Sequence, residues 1–325
     1  MRFLCFILLS VVFIGTSAQS SLAGFIRHDR PVSAYNELAL KPEFAATGYV
    51  YHPSVGFWHT GTLVAPNIVL TSAHAFDPDM TGIVSRPVRD LVFGFHHQPL
   101  TGKTYRVIHV IPHMFWPIKA PQHDLALLYL EEPVEDVTPA RITTKKPHGL
   151  TGVSVGYGIQ GDGLGNELVG ANQRLASEVQ IDYVGPEDGH LIDYLGLAPE
   201  FAEEVGTTIR ADFDHPNGST NTYGGQYPLN LEGGTATGDS GGPLYIQDEK
   251  GWAVAGVLFG GFNPYGDMGG YGNVSIWTPL YLEDTQSFLR QFGVEVVPEP
   301  SSIALALMGA TGIFWMRRRR HQTGA

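Results

Sequence analysis

Three residues of this 325-residue chain have the types and contexts needed to break an acyl bond. Ser240 lies in Gly238-Asp239-Ser240-Gly241-Gly242-Pro243, where the flanking glycines let backbone approach a substrate carbonyl. A serine hydroxyl is a weak nucleophile near neutral pH, so it needs a base to take its proton and a third group to orient that base. Thr71-Ser72-Ala73-His74-Ala75 follows the apolar run 63–70, and Asp124-Leu125-Ala126-Leu127-Leu128 opens another. Imidazole titrates near physiological pH, so His74 can serve first as base and then as acid, with Asp124 holding its other ring nitrogen. The backbone N–H groups of Gly238 and Ser240 can then form an oxyanion hole, and glycine at 238 leaves that approach clear.

The chain order His74, Asp124, Ser240 discriminates between folds. Gly238-Asp239-Ser240-Gly241-Gly242 also fits a Gly-x-Ser-x-Gly nucleophile elbow, but that fold needs a histidine after the serine. The only one is His321, in a basic tail beyond an apolar segment, and it cannot return to a core. The motifs Thr-Ser-Ala-His, Asp-Leu-Ala-Leu and Gly-Asp-Ser-Gly-Gly-Pro, well separated and in this order, resemble the trypsin-like (chymotrypsin-fold) serine proteases.

The resemblance implies an all-β fold: two antiparallel Greek-key β-barrels with the active site in the cleft between them, plus a C-terminal helix. It implies that Asp239 pairs with a newly freed N-terminal amine, the activation pairing that shapes the oxyanion hole. No Ile-Val-Gly-Gly stretch precedes His74, and the nearest candidate is Phe25-Ile26-Arg27-His28-Asp29. For substrate binding the resemblance points to Gly234, six residues before the nucleophile, and to Phe259, Gly260 and Gly261 in Val257-Leu258-Phe259-Gly260-Gly261. Phe259 is expected where the family usually has a serine that helps hold the aspartate. With no carboxylate at 234 and an open glycine wall, an uncharged, apolar P1 residue is expected.

The elements that must position these groups read as short strands. Forty glycines and 22 prolines punctuate many short apolar runs, and 43% hydrophobic with 16% charged residues describes a folded chain. Strands are expected at 60–64, 68–72, 91–95, 105–111 and 125–130, a first barrel spanning 24–146. A second set at 153–156, 175–183, 243–246, 252–259 and 274–277 gives a second barrel spanning 147–296. Apolar residues at 281, 282, 288, 289 and 292 predict a terminal helix over 281–292. The stretch 185–234 reads as surface loops, with a short helix at 198–205. His123 reads as incidental, facing away from Asp124 if the segment is a strand.

Both ends carry addresses. Residues 1–23 have a charged start, an apolar stretch and small residues, the layout of a signal peptide cleaved after Ala18 or Ala23. Cys5, the only cysteine, falls inside it, so the exported protein would have neither a disulfide nor a thiol nucleophile. The tail from 297 to 325 resembles a PEP-CTERM sorting signal: Pro298-Glu299-Pro300, an apolar segment 303–316, then Arg317-Arg318-Arg319-Arg320. The arginines would stay on the cytoplasmic side, and the apolar segment is shorter than the roughly 20 residues that span a bilayer. The expected partners are signal peptidase, an exosortase-type processing enzyme and protein or peptide substrates. Anchoring at the inner membrane of a Gram-negative bacterium would be transient, before release to the envelope or the medium. The formal net charge of −12 opposes nucleic-acid binding.

No metal or cofactor is expected: His96 and His97 are adjacent, and Pro112 separates His109 from His113. Taken together, the sequence predicts an exported serine endopeptidase that works through a Ser-His-Asp triad and an acyl-enzyme. The alternative is a catalytically silent, protease-like binding module of the envelope or matrix.

Overall fold

A computed structural model describes residues 24–118, 120–166, 173–186, 206–224, 228–266 and 270–297. The signal peptide, the tail from 298 onward and the short helix expected at 198–205 lie outside the described residues.

The chain begins with β1 (Phe25–Ile26) and α1 (Val32–Ala39), followed by β2 (Thr47–His52), β3 (Phe57–Ala65), β4 (Ile68–Thr71), β5 (Val92–Gly94) and β6 (Thr104–Pro112). A four-residue helix, α2 (Ala120–His123), precedes β7 (Ala126–Leu130). Strands β2 to β7 close into a six-stranded antiparallel barrel in the order β2-β3-β4-β7-β6-β5. Alternation along each strand explains the closure. Val50, Leu63, Val69, Leu128 and Leu130 fill the barrel interior, while Val64, Ile68, Leu70 and Leu127 face outward into a second core.

That second core joins the barrel to the rest of the chain. There follow β8 (Ile142–Thr143), β9 (Thr151–Gly156), β10 (Gly161–Asp162), β11 (Leu175–Gln180), β12 (Tyr183–Pro186), β13 (Thr207–Asp212), β14 (Gly233–Gly234), β15 (Pro243–Asp248), β16 (Gly251–Phe262), β17 (Val274–Pro279), α3 (Glu283–Gln291) and β18 (Val296–Val297). Nine of these strands form one curled sheet along the path β11-β9-β15-β16-β17-β13-β12, with β8 attached to β16 and β18 to β8. Val153, Val155, Tyr245, Val254 and Val257 of the sheet, with Phe288 and Leu289 of α3, pack against the outward face of the barrel. Each such side chain, fully buried, contributes about 1.5–3 kcal/mol, so the cleft between the halves rests on a continuous apolar floor.

Two readings of the sequence are corrected. The stretch 185–234 is not all surface loop, because β13 is an interior strand of the curled sheet. It pairs with β12 and β17 and buries Thr208, Ile209, Arg210, Ala211 and Asp212. A small third sheet, β10-β1-β14, was also unforeseen: Phe25 pairs with Gly161 on one side and Gly234 on the other, stitching the N-terminal residues beside the Ser240 loop. The terminal helix runs over Glu283–Gln291, within the expected 281–292.

Candidate active site

The three candidate residues come from three chain reversals at the junction of barrel and sheet. His74 follows β4, Asp124 sits between α2 and β7, and Ser240 precedes β15. Strands β4 and β7 are hydrogen-bonded neighbours, which brings the first two side by side. Asp124 is fully buried. Its Oδ1 accepts the His74 backbone N–H at 2.8 Å and its Oδ2 faces His74 Nδ1 at 2.6 Å. This leaves His74 Nε2 turned to the Ser240 hydroxyl at 3.0 Å. The line Asp124, His74, Ser240 is unbroken.

The Ser240 loop needs its glycines. Gly238 has φ of +95°, and a Cβ there would lie 2.9 Å from the Gly158 backbone. Gly241 has φ of +81°, and a Cβ would strike the Thr60 carbonyl at 2.3 Å. Among the described residues no protein acceptor takes the Gly238 or Ser240 N–H. Thr60 of β3 locks the loop onto the barrel: its N–H donates to the Ser240 carbonyl at 2.9 Å and its hydroxyl to the Gly238 carbonyl at 2.9 Å. The same hydroxyl accepts the Tyr157 N–H at 3.0 Å. Sequence reasoning missed Thr60, and nothing in its local context flags it, because its partners are far along the chain.

Asp239 points away from Ser240 into the protein. Its Oδ1 accepts the Gly158 N–H at 2.8 Å, and its Oδ2 accepts those of Ala236 at 3.1 Å and Gly24 at 3.2 Å. Burial pushes its pKa up to about 6, against the pull of those three N–H groups. The backbone nitrogen of Gly24, one residue before the Phe25-Ile26 candidate, is thus at the carboxylate. A cavity of about 20 Å³, lined by Gly24, Gly156, Ser177, Thr235 and others, adjoins the pair.

Around the serine, Gly234 lies against Phe213 and Asn273, with a built Cβ 3.5 Å from the Phe213 side chain and 3.6 Å from the Asn273 amide. The same amide lies 3.4 Å from a Cβ placed at Gly261, whereas a Cβ at Gly260 would meet open space. Phe213 and Asn273 are buried and were not singled out from the sequence. Phe259 sits where the β16–β17 register shifts, and its ring meets the His74 ring edge-on with centroids 5.9 Å apart. His123 is not incidental: it ends α2 and bonds to Asp284 of α3. Among the described residues no group of three or more His, Cys, Asp or Glu could hold a metal ion.

A closed barrel docked on a curled half-barrel sheet, with Asp124, His74 and Ser240 at the seam, is the chymotrypsin-like fold. Comparison with known families agrees: the Trypsin family matches residues 43–188, and the PEP-CTERM protein-sorting motif matches residues 296–320. The Trypsin match spans the segment that bears His74 and Asp124, and the sorting motif lies beyond the terminal helix. No curated protein matches the chain. Among solved structures it is similar to an inactivated protease paralogue of the scabies mite, at 17% identity and a TM-score of 0.49, covering 78% of this chain and 96% of that one. The sorting motif marks an exported protein of a Gram-negative bacterium, held transiently at the membrane and then extracellular. Among the described residues no helix is long and apolar enough to cross a membrane, and the apolar segment 303–316 lies outside them.

Proposed function

We propose that this exported trypsin-fold protein is a serine endopeptidase, with units 24–146 and 147–296 contributing the two walls of its cleft. The observation that carries the proposal is the continuous contact from Asp124 through His74 to Ser240, at 2.6 and 3.0 Å. Ser240 Oγ attacks the scissile carbonyl as His74 Nε2 takes its proton. The Gly238 and Ser240 N–H groups receive the developing oxyanion, where each such donor is worth about 3–4 kcal/mol. His74 then gives the proton to the leaving amine, the acyl-enzyme forms, and water enters by the same path in reverse. Asp124 holds the imidazole in one tautomer and stabilises it when charged. The edge of Phe259 against His74 keeps that ring from swinging out of the cleft.

Asp239 sets the oxyanion loop. Removal of the signal peptide after Ala23 would leave the Gly24 amine at the 3.2 Å contact with Asp239 Oδ2 and convert an amide bond into an ion pair. The buried carboxylate then stays charged and the loop keeps its shape. Gly234, Gly260 and Gly261, with the Phe213 ring and the Asn273 amide beneath, accept an uncharged P1 side chain. The substrate is a peptide or protein lying extended along β16. Processing by an exosortase-type enzyme near Pro298 would release this domain. β18 supports that order, because Val296 is buried against the second core and pairs with Ile142, so the fold reaches to the motif's edge.

A fluorophosphonate probe tests the reading: it should label the exported protein on Ser240 and nowhere else. A silent binding module would take up no probe.

A further inference from the structure

Asp124 faces His74 with both oxygens, so its placement depends on the backbone either side. His123 lies on one side and Leu125 on the other, and the Leu125 N–H donates to the His123 carbonyl at 2.8 Å. The His123 ring is buried and both of its nitrogens meet acceptors: Nδ1 faces the Ile118 carbonyl at 2.7 Å and Nε2 faces Asp284 Oδ2 at 2.8 Å. Both bonds form together only when both nitrogens carry protons. Gln122 donates to the same Asp284 oxygen at 3.3 Å, and its Nε2 lies 3.1 Å from His123 Nε2, so two donors converge on one carboxylate. Gln122 Oε1 also accepts the Thr207 N–H of β13 at 2.8 Å.

The ring is packed against aromatic neighbours as well as bonded. His113 stacks on it nearly parallel, 6° apart with centroids at 4.8 Å, and His113 in turn meets Phe288 of α3 at 4.8 Å. Phe115 lies beside both rings, 5.5 Å from His123 and 5.7 Å from His113. Burial and the neighbouring His123 push the His113 pKa down to about 4, so His113 stacks as a neutral ring. The His113 N–H donates to the Leu125 carbonyl at 2.7 Å, which ties the stack to the far side of Asp124. Asp284, held by His123, is pushed down to about 2 and accepts the Thr285 N–H at the start of α3.

We propose that His123 is a positioning residue for the triad: with Asp284 it clamps the 120–125 segment to the terminal helix and so fixes the Asp124 carboxylate against His74. The proposal rests on the peptidase reading for its kinetic consequence, and the His74–Asp124 contact gives a consequence that does not. Misplacing a catalytic group by about 1 Å can cost as much as 100-fold, so loosening the clamp should act on turnover rather than on substrate binding.

The test compares Asp284→Ala and Asp284→Asn with Asp248→Ala, which removes the Arg141–Asp248 ion pair at 2.7 Å, remote from the segment. Asp284→Ala should lower kcat about 10- to 100-fold with KM changed less than about 2-fold, well below its unfolding temperature. It should also shift the low-field proton resonance of His74 Nδ1. Asp284→Asn keeps an oxygen acceptor and should recover most of kcat, which also guards against a variant that fails to fold. Asp248→Ala should alter only thermal stability. Parent-like kcat and an unshifted resonance in Asp284→Ala would overturn the clamp. A parent protein that neither cleaves peptide nor takes the fluorophosphonate would overturn the peptidase reading instead, and the resonance alone would then decide the clamp.

Discussion

Burial moves two histidines of the closed barrel and three carboxylates beside the curled sheet in opposite directions. His52 on β2 and His59 on β3 sit with their rings 5.1 Å apart among Phe57 and Phe76, and among the described residues none of their four ring nitrogens has a hydrogen-bond partner. Burial pushes His52 down to about 4 and His59 well below its usual range. Beside the sheet the shifted groups are the carboxylates of Asp182, Asp214 and Glu232. Burial, then the neighbouring Asp212, pushes Asp214 up to about 8, and burial raises Glu232 to about 7. Asp182 is raised by the same two causes.

The signs are opposite. A histidine whose folded pKa is depressed adds stability that is full above its ordinary value of about 6.5 and is lost as pH falls through about 4. A carboxylate whose folded pKa is raised adds stability that is full below its ordinary value of about 4 and is lost as pH rises through about 7 to 8. Between about pH 4 and 6.5 the two trends oppose each other, and above that the carboxylate loss stands alone. His74 and Asp124 lie on the barrel side and Ser240 on the sheet side, so the contact between them depends on a balance that neither half sets by itself.

The strongest way to break this picture is to remove one half's contribution to catalysis. His74→Ala takes the base from the barrel side and should cost about four or more orders of magnitude in kcat, and adding Ser240→Ala from the sheet side should cost little more. Additive losses in that pair would mean that the halves act separately. Next is the tether between the N-terminal stretch and the sheet. A protein retaining residues before Gly24, or acetylated on Gly24, should lose about 10²- to 10³-fold in kcat, the scale of a lost oxyanion donor. N-terminal sequencing of the exported protein alongside the assay checks this, and full activity with a blocked amine would remove Asp239 from the mechanism.

Thr60 joins barrel to sheet by three bonds, and Thr60→Val removes the two made by its hydroxyl. The Tyr157 N–H and Gly238 carbonyl are then left unpaired, so denaturant unfolding should show a loss of about 1–3 kcal/mol for each such group. The kcat loss should be smaller than that from blocking Gly24. The smallest effects are pH-specific. His59→Phe should extend stability to lower pH, and Asp214→Asn should flatten the decline on the alkaline side, each by up to about 1.4 kcal/mol per pH unit across its own window. Melting curves from pH 4 to 9 measure both. Equal shifts at both ends for either variant would erase the contrast between the halves.

The two regions also differed in how much of them the sequence reveals. The barrel strands alternate between an interior and an interface core, so β3, β4, β6 and β7 could be read from local pattern, as could His74 and Asp124 beside them. The triad motifs are short and local, which is why they were visible. β13 was not, because Thr207-Thr208-Ile209-Arg210-Ala211-Asp212 places Arg210 and Asp212 inside the fold and defeats the rule that buried strands are apolar. α1 begins after Pro31 without a side-chain cap, so it lacked a start signal. Thr60, Asn273 and His123 draw their meaning from partners far along the chain. The signal-peptide pattern offered cleavage after Ala18 or Ala23, and only the β10-β1-β14 sheet shows how the Gly24 nitrogen reaches Asp239.

The most direct measurement is the initial rate of casein cleavage by the exported protein beginning at Gly24, beside its Ser240→Ala variant with the same melting temperature. The account predicts steady cleavage by the parent and background rates for the variant. Equal rates in the two proteins, or none in either, would contradict it.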